Sequence, residues 1–290
     1  MKILILQNRM GIGDMIMFLP FIEAISKKFK TPVTILAKKN TKVEMYFNNK
    51  EIVEEIMYLE REDNKKHSGV KGFFKLVSEL KLKKFDKVFI FNSSLRYFLI
   101  SKFSGIKEVF HYPLFKKKNQ QIIEAAKEFT LKSIGEDIES TPRLFLKEQD
   151  ILKARKDHSI EQSTTNVILG IGGSGKTKRV PASIFKSFMS KVLKRSNCRF
   201  FLMTGNNIDE LKIMDEIIES EYKEYCTPLN NFTIKEILPI IPNCQIAICN
   251  DSSFSHLSAG LGIKTIVLMV DTPLILSLIH ISEPTRRHLI

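Results

Sequence analysis

One stretch near the end of the chain constrains its fold more than any other, because it predicts a strand, a helix and a second strand in close succession. Residues 245–270 read QIAICNDSSFSHLSAGLGIKTIVLMV, with two apolar runs on either side of a polar turn and a short helical pattern. His256 and Leu257 belong to that helical pattern, and Gly262 is typical of a helix end. The stretch therefore predicts one βαβ step of a parallel sheet, and with it an α/β protein.

The turn of this step lies where an open parallel sheet binds its ligands, beyond the carboxyl ends of the strands. The helix that follows the turn presents unpaired N–H groups and the positive end of its dipole, which suit a phosphate. Asp251, Ser252, Ser253 and His256 are therefore candidate binding residues. A plain helix cap at Asp251 or Ser252 explains the same pattern, and the sequence leaves both interpretations open.

A strand, a glycine loop and a helix also open the chain. The apolar residues 2–6 are followed by Gly11 and Gly13, and these precede a helical pattern that begins near Asp14. The lone G-x-G lacks the third glycine of a dinucleotide-binding loop. The glycines instead hold the Asp14 carboxylate near the helix start at the ligand edge of the sheet, so Asp14 is either a base or a helix cap.

Two further candidates follow predicted strands. Residues 85–91 are an apolar strand that leads into Arg96, at the same sheet edge as Asp14, and Arg96 is a candidate for binding an anionic acceptor group. A surface arginine without a ligand is the alternative. Glu210 follows the predicted strand 199–204, and its carboxylate is suited either to ribose hydroxyls or to the positive end of a helix dipole.

A glycine-rich loop in the middle of the chain has two interpretations. Residues 170–177 match G-x-x-x-x-G-K-T, the phosphate loop of nucleotide triphosphatases, in which a helix starts at the lysine. Pro181 would then fall in the second turn of that helix, at a cost of about 3 kcal/mol. The helix is therefore predicted to begin at Pro181, which leaves Lys176, Lys178 and Arg179 in a loop that faces the crevice. A nucleotide triphosphatase remains the alternative function.

The composition is that of a soluble globular protein with room for two domains, with 290 residues, 27% of them charged and 43% hydrophobic. The net charge of +13 is spread over lysine pairs and triplets and favours anionic partners, but the sequence holds no nucleic-acid-binding motif. The four cysteines show no C-x-x-C spacing, so neither a metal site nor a disulfide framework is predicted. No apolar run approaches the ~18 residues that span a bilayer, and we expect a cytoplasmic protein.

Four blocks together resemble glycosyltransferase family 9, the ADP-heptose:lipopolysaccharide heptosyltransferases. Residues 2–20 resemble the family's opening strand and G-D loop, and residues 85–96 resemble its Y-D-x-x-I-x-x-x-x-S-x-R segment. Residues 172–181 resemble G-x-S-x-x-K-R-W-P, and residues 251–259 resemble D-S-G-x-x-H-L-x-A. Two positions depart from the pattern. Val180 replaces a tryptophan, and Ser253 replaces a glycine that lets the backbone approach a diphosphate.

The resemblance implies the GT-B fold, two facing Rossmann-like domains with parallel sheets. Residues 1–150 would bind the acceptor and residues 151–275 the nucleotide sugar. The implied reaction moves a heptosyl group from ADP-heptose to a hydroxyl of a lipopolysaccharide inner-core or related acceptor, with inversion and with no metal or other cofactor. Asp14 would be the base and Lys178 the cation that stabilises the diphosphate. The implied acceptor site contains Gly13, Asp14 and Arg96, and the implied donor site contains Ser174, Lys176, Thr177, Lys178, Glu210, Asp251, Ser252, Ser253 and His256.

The resemblance also implies a place of action and raises a question about the end of the chain. A bacterial enzyme of this kind is expected in the cytoplasm, in peripheral contact with an anionic glycolipid acceptor at the inner membrane surface, with no nucleic-acid partner. Residues 276–290 do not resemble the family and look like a non-native tail. The second domain is therefore expected to be incomplete, and an inactive truncated binding protein is a further alternative.

Overall fold

A computed structural model describes residues 1–9, 11–47, 49–113, 121–173 and 175–270. The chain divides into two compact units. Unit 1 comprises Met1–Lys147 and Thr233–Leu238, and unit 2 comprises Glu148–Phe232 and the chain from Pro239 onward. The predicted tail, residues 276–290, lies outside the described residues.

The described residues form two parallel sheets of five strands each. The strands are β1 (Ile3–Gln7), β2 (Val33–Ala37), β3 (Val53–Tyr58), β4 (Lys87–Ile90), β5 (Glu108–His111), β6 (Thr165–Gly170), β7 (Cys198–Met203), β8 (Cys226–Pro228), β9 (Ile246–Asn250) and β10 (Lys264–Leu268). The sheet of unit 1 has the order β3-β2-β1-β4-β5, and that of unit 2 has the order β10-β9-β6-β7-β8. Counted from the first strand of each unit, both sheets have the same order, 3-2-1-4-5, which is the order of the first five strands of the Rossmann fold.

Helices connect these strands, as parallel pairing requires. They are α1 (Ile12–Phe29), α2 (Val43–Tyr46), α3 (Gly69–Lys83), α4 (Leu95–Phe103), α5 (Ile122–Ile134), α6 (Glu148–Asp157), α7 (Ala182–Leu193), α8 (Ile208–Ile218), α9 (Ile234–Ile237) and α10 (Ser253–Gly260). The predicted α/β fold with two parallel sheets is thus confirmed.

The sheet of unit 1 is covered on both faces, which explains its continuous apolar strands. All five residues of β1 are buried. Leu76 of α3 and Tyr97 of α4 share one core cluster with alternate strand residues. On the opposite face of the sheet, the ring of Phe91, one residue after β4, lies 5.2 Å from that of Phe18 in α1 and 5.0 Å from that of Phe129 in α5. The two layers of helices leave the carboxyl edge of the sheet to the loops.

Unit 2 is built in the same way, with α7 and α8 against its sheet. Phe185 and Met189 of α7 pack with Phe200 of β7 and with Met214 of α8 in one buried cluster. Because α7 has its first helical residue at Ala182 and Pro181 as its N-cap, the predicted helix start is displaced by one residue. The loop between β6 and α7 therefore stays outside any long helix.

Two segments differ from the sequence-based expectation. The polar composition of residues 136–157, with Pro142, predicts a crossing segment between the domains, yet their second part forms α6 (Glu148–Asp157). The sequence of residues 229–241 predicts one short helix, and α9 within it has only four residues, with a capping box between Thr233 and Glu236 at its start. Short amphipathic stretches of this kind give a weak periodic signal, because few turns sample the pattern.

Candidate active site

The site in unit 2 lies where its strand order reverses, between the neighbouring strands β6 and β9. This position is the usual ligand crevice of an open α/β sheet. Asn250, the last residue of β9, is fully buried. Its Nδ2 donates to the carbonyl of Ile171 at 2.6 Å, and its Oδ1 accepts from the Val180 N–H at 3.3 Å. One side-chain amide thus fixes both ends of the glycine-rich loop.

Lys178 and Asp251 form an ion pair across this crevice. The Lys178 Nζ lies 3.0 Å from the Asp251 Oδ2, with the lysine partly exposed and the carboxylate mostly buried. The two residues come from the two motifs that the sequence singled out, and they are 73 positions apart. A charge-assisted pair of this kind holds the lysine ammonium at a defined place beside the start of α10.

Glu210 braces the loops beside the ion pair. Its Oε2 accepts from the Gly205 N–H at 2.7 Å and from the Thr204 hydroxyl at 3.2 Å, while its Oε1 accepts from the Gly173 N–H at 3.2 Å. A Cβ on Gly172 would lie 2.9 Å from this carboxylate, so glycine is needed there for close packing. The predicted contact of Glu210 with ribose remains a prediction, and the bracing role is a function that the sequence did not indicate.

The start of α10 follows Asp251 directly, with Ser252 at the N-cap position. Ser252 makes no side-chain capping hydrogen bond. Its buried hydroxyl has no hydrogen-bond partner among the described residues. Asp251 holds Lys178 in an ion pair. The interpretation of Ser252 as a side-chain cap is therefore wrong, whereas the role of Asp251 stays a prediction, and Ser253 begins a helix whose first N–H groups suit an anion.

His256 lies on the buried side of α10. Burial lowers its pKa to about 4, against the opposing charge of Asp251. The imidazole is therefore neutral near pH 7, and it offers a hydrogen-bonding nitrogen to its surroundings where a cation would offer charge.

The remaining loop residues fall into two groups. Lys176 and Thr177 are exposed in a single 3₁₀ turn, Lys176–Lys178. Arg179 was expected to face the crevice, but its buried guanidinium pairs with Asp209 at 3.2 Å. Ser174 lies outside the described residues. Because no long helix starts at Lys176, the geometry of a triphosphatase phosphate loop is absent from this described turn, and that alternative is wrong.

The equivalent position in unit 1 lies between β1 and β4. Gly11 is the N-cap of α1 with φ 124°, a conformation that favours glycine, so Asp14 does not occupy the cap position. Gly13 and Asp14 lie in the first turn of α1. The Arg9 guanidinium lies 3.6 Å from the Asp14 Oδ1. The predicted base is thus held at the carboxyl edge of the sheet with a cation beside it.

A cavity of about 830 Å³ opens on the α1 and α5 side of unit 1. Arg9 and Asn92 line it, and Asn92 Nδ2 also donates to the Asn8 side chain at 2.7 Å. Pockets of this size with an apolar wall and a few polar groups are typical of organic ligands. The sequence did not indicate the cavity, because its wall comes from five separate segments of the chain. Its aromatic wall is formed by Phe18, Phe91, Tyr112 and Phe129.

Arg96 has structural contacts in this unit. Its guanidinium donates to the carbonyls of His67 at 3.1 Å and Gly69 at 2.8 Å. Burial and the neighbouring Arg61 both lower the pKa of Arg96. Arg96 thus holds the segment before α3 in place, and its role in acceptor binding remains a prediction. Arg61, a second guanidinium close by, was missed because no motif contains it.

The described residues contain neither a metal-ligand cluster nor a membrane-spanning helix. They contain no group of three or more His, Cys, Asp or Glu side chains placed to hold a metal ion. None of the helices in the described part of the chain combines the length and the apolar character needed to cross a membrane.

The fold is shared with solved glycosyltransferase structures. E. coli ADP-heptose lps heptosyltransferase II matches with a TM-score of 0.70 and 17% identity, over 92% of this chain and 84% of that chain. A glycosyltransferase family 9 protein from Veillonella parvula DSM 2008 matches with a TM-score of 0.72 and 16% identity, over 92% and 80%. E. coli heptosyltransferase WaaC with ADP matches with a TM-score of 0.70 and 15% identity, over 95% and 89%. The fold is therefore the GT-B fold of the heptosyltransferases.

Sequence comparison identifies the family. The search of curated proteins gives no match. The family model of glycosyltransferase family 9 (heptosyltransferase) matches residues 110–275, which is more than half of the chain. The protein belongs to glycosyltransferase family 9 and is a glycosyltransferase of the heptosyltransferase type.

Proposed function

We propose that the protein transfers a heptosyl group from ADP-heptose to a hydroxyl of a lipopolysaccharide inner-core or related glycan, with inversion at the anomeric carbon. The observation that carries the proposal is the Lys178–Asp251 pair, which holds an ammonium 3.0 Å from a carboxylate beside the start of α10. An ammonium and the first N–H groups of a helix at one sheet edge are suited to a diphosphate. A structure of E. coli WaaC contains ADP, which supports an ADP-sugar as the donor.

The leaving group defines the role of unit 2. When the bond between the anomeric carbon and the diphosphate breaks, its electron pair remains on the diphosphate oxygen of ADP. Lys178 stabilises that developing charge, and the N–H groups at the start of α10 add to it. Asp251 keeps the ammonium in place, and Glu210 keeps the loop backbone in place. Because these groups supply positive charge without a metal ion, we propose that none is needed.

The attacking hydroxyl defines the role of unit 1. Asp14 accepts the hydroxyl proton while the oxygen forms the new bond on the face opposite the diphosphate, which produces inversion. Arg9, 3.6 Å from the Asp14 carboxylate, gives the acceptor a cationic contact. The aromatic cavity beside Arg9 has the volume for a sugar unit of the acceptor. An anionic glycolipid at the cytoplasmic face of the inner membrane fits these groups best.

The test is a transfer assay with ADP-heptose and a heptose-free inner-core acceptor, followed by mass spectrometry and by the anomeric configuration of the product. The expected product is one heptose heavier, with the inverted anomeric linkage. Thermal shift with ADP-, UDP- and GDP-sugars tests the donor, and a rise in melting temperature with ADP-sugar concentration is expected. A response to UDP- or GDP-sugars alone would contradict the heptose assignment. Binding of ADP-heptose without any transfer would favour the inactive binding protein.

A further inference from the structure

The outward faces of α3 and α4 expose large apolar side chains. Val70, Phe74 and Phe103 are 73%, 59% and 63% exposed. The ring of Phe73 joins two of them, since its centroid lies 5.2 Å from that of Phe74 and 6.0 Å from that of Phe103. With Leu82 and Leu95, these two helices carry five of the fifteen exposed large apolar side chains in the described part of the chain. Such a concentration marks an interaction surface.

The exposed side chains are not a displaced part of the core. The inner faces of the same helices are already buried, with Leu76 and Leu80 of α3 and Ile100 of α4 in the core of unit 1. On the outer face of α3, the exposed side chains of Val70 and Phe74 are four positions apart. Helical side chains four positions apart share one face, so α3 has two apolar faces of which only one is covered within its unit.

The charge around these side chains is positive. The two helices carry five lysines and Arg96 against one carboxylate, Glu79. Glu79 is already paired with Lys66 at 2.8 Å and with His67 at 3.2 Å, and these two residues precede α3. Among the described residues, no carboxylate forms an ion pair with Lys71, Lys75 or Lys102. The surface therefore combines apolar side chains with unbalanced ammonium groups.

We propose that this α3–α4 face, formed by Val70, Lys71, Phe74, Lys75, Lys102 and Phe103, seats the protein on the surface of an anionic lipid bilayer. Phenylalanine and valine side chains enter the boundary between headgroups and acyl chains, while the lysine ammonium groups contact headgroup phosphates. A second copy of the chain is disfavoured, because the same face would set its lysines against those of its partner. The inference rests on the proposed function only for the membrane-borne acceptor, since bilayer binding itself needs neither sugar nucleotide nor acceptor.

The first arm of the test concerns the apolar side chains. The protein is sedimented with vesicles of phosphatidylcholine alone and of phosphatidylcholine mixed with phosphatidylglycerol, without acceptor or nucleotide. Binding is expected to the mixed vesicles only, and it should weaken with salt. Phe74→Ser combined with Phe103→Ser should lower the partition coefficient at least about 10-fold. Phe145→Ser, which alters a phenylalanine that is 75% exposed elsewhere in unit 1, is the matched control and should bind as the wild type does.

The second arm concerns the charges. Changing Lys71, Lys75 and Lys102 together to glutamine should lower binding to the mixed vesicles by about 10²-fold. A control variant removes the same formal charge at three exposed lysines outside the face, and it should retain most of the binding. If both triple variants lost binding equally, net charge would explain it and the proposal would be overturned. The control lysines are Lys147, Lys153 and Lys156.

Further outcomes would also overturn the proposal. One is a wild type that sediments with neither kind of vesicle, and another is full binding by the Phe74 and Phe103 variant. Dimerisation of the wild type in vesicle-free solution, lost in that variant, would assign the face to a second copy. Transfer to a water-soluble acceptor is measured in parallel and should be unchanged in every variant. A wild type that transfers heptose but binds neither kind of vesicle would strike this inference alone, whereas a wild type that binds the mixed vesicles without any transfer would strike the proposed function alone.

Discussion

The points where the strand order reverses in the two units have the same topology and different chemistry. In unit 2 the loops after β6 and β9 are joined by an ion pair between Lys178 and Asp251 and by a buried hydrogen bond from the Asn250 side chain to the Ile171 carbonyl. In unit 1 the loops after β1 and β4 are joined by two neutral amides, Asn92 and Asn8, at 2.7 Å. The shared strand order supplies a crevice in both units, and the loop residues decide what each crevice can bind.

The glycines show how the two loops differ. Gly172 leaves room for the Glu210 carboxylate, so its loop is packed tightly around a fixed position. Gly11 instead adopts φ 124°, which turns the chain into α1, and a cavity of about 830 Å³ is lined in part by Arg9 of the same unit. A compact diphosphate requires fixed charges, whereas a larger acceptor requires volume and a base. The proposed function therefore places the donor in unit 2 and the acceptor in unit 1.

The largest expected effect is that of Asp14→Asn. Asparagine keeps the size of the side chain but cannot accept the hydroxyl proton, so kcat should fall about 10²-fold or more. Steady-state transfer assays measure it. Asp86→Asn is the control, because Asp86 accepts from the backbone N–H of Lys2 at the amino edge of the same sheet. Near-normal kcat in Asp14→Asn would remove the base from unit 1 and break the comparison.

A smaller loss of turnover is expected from Lys178→Ala, on the order of 10- to 10²-fold, because the diphosphate charge loses its ammonium partner while the core is unchanged. Lys176→Ala is the matched control, since Lys176 is exposed in the same 3₁₀ turn. Transfer rates and melting temperatures of both variants are compared. If Lys176→Ala were the more damaging change, the phosphate-binding group of unit 2 would be wrongly assigned.

Glu210→Gln tests whether the hydrogen bonds of the Glu210 carboxylate hold the two loops in place. The amide can accept at only one of the two oxygen positions, so the N–H of Gly173 or that of Gly205 loses its acceptor. We expect the free energy of unfolding to fall by about 1–3 kcal/mol and the donor KM to rise. Urea denaturation and donor titration measure these quantities. Glu216→Gln, on the exposed side of α8, serves as the control, and an equal effect of both changes would show that the loop needs no brace.

The smallest effect concerns pH. His256 has a pKa of about 4 in the folded protein, below the value near 6.5 of an unfolded chain, so the unfolded state takes up the proton first as pH falls. Stability is therefore lost from about pH 6.5 downward until pH falls to about 4, with about 1 kcal/mol lost between pH 7 and 5.5. His256→Gln should remove that part of the pH dependence in denaturation curves. Identical slopes in wild type and variant would contradict the burial of a neutral imidazole.

Much of the fold was predictable because strands buried on both faces are continuous apolar runs, and because glycine and proline mark their ends. Pro181 placed the start of α7 within one residue. Residues 229–241 were predicted less well, since a helix of four residues depends on its capping box more than on periodicity. Local pattern is thus sufficient for long elements and insufficient for short ones.

The candidate site was predictable only in part. The sequence placed Lys178 and Asp251 in loops at one sheet edge, and the structure brings them together. The sequence did not indicate that Glu210 accepts a hydrogen bond from the N–H of Gly173, 37 positions away, or that Arg179 forms an ion pair with Asp209. Those contacts depend on how the loops pack in three dimensions, and the sequence holds no local signal for them.

The division of labour between the units is tested most directly by titration calorimetry of ADP against the wild type, Asp14→Asn and Lys178→Ala. If unit 2 alone binds the donor, Asp14→Asn should bind ADP with a Kd within about 2-fold of the wild-type value. Lys178→Ala should bind at least about 10-fold more weakly, since it loses a charged contact and leaves Asp251 near the diphosphate. Wild-type affinity in Lys178→Ala, or an equal loss in both variants, would contradict the assignment of the donor to unit 2.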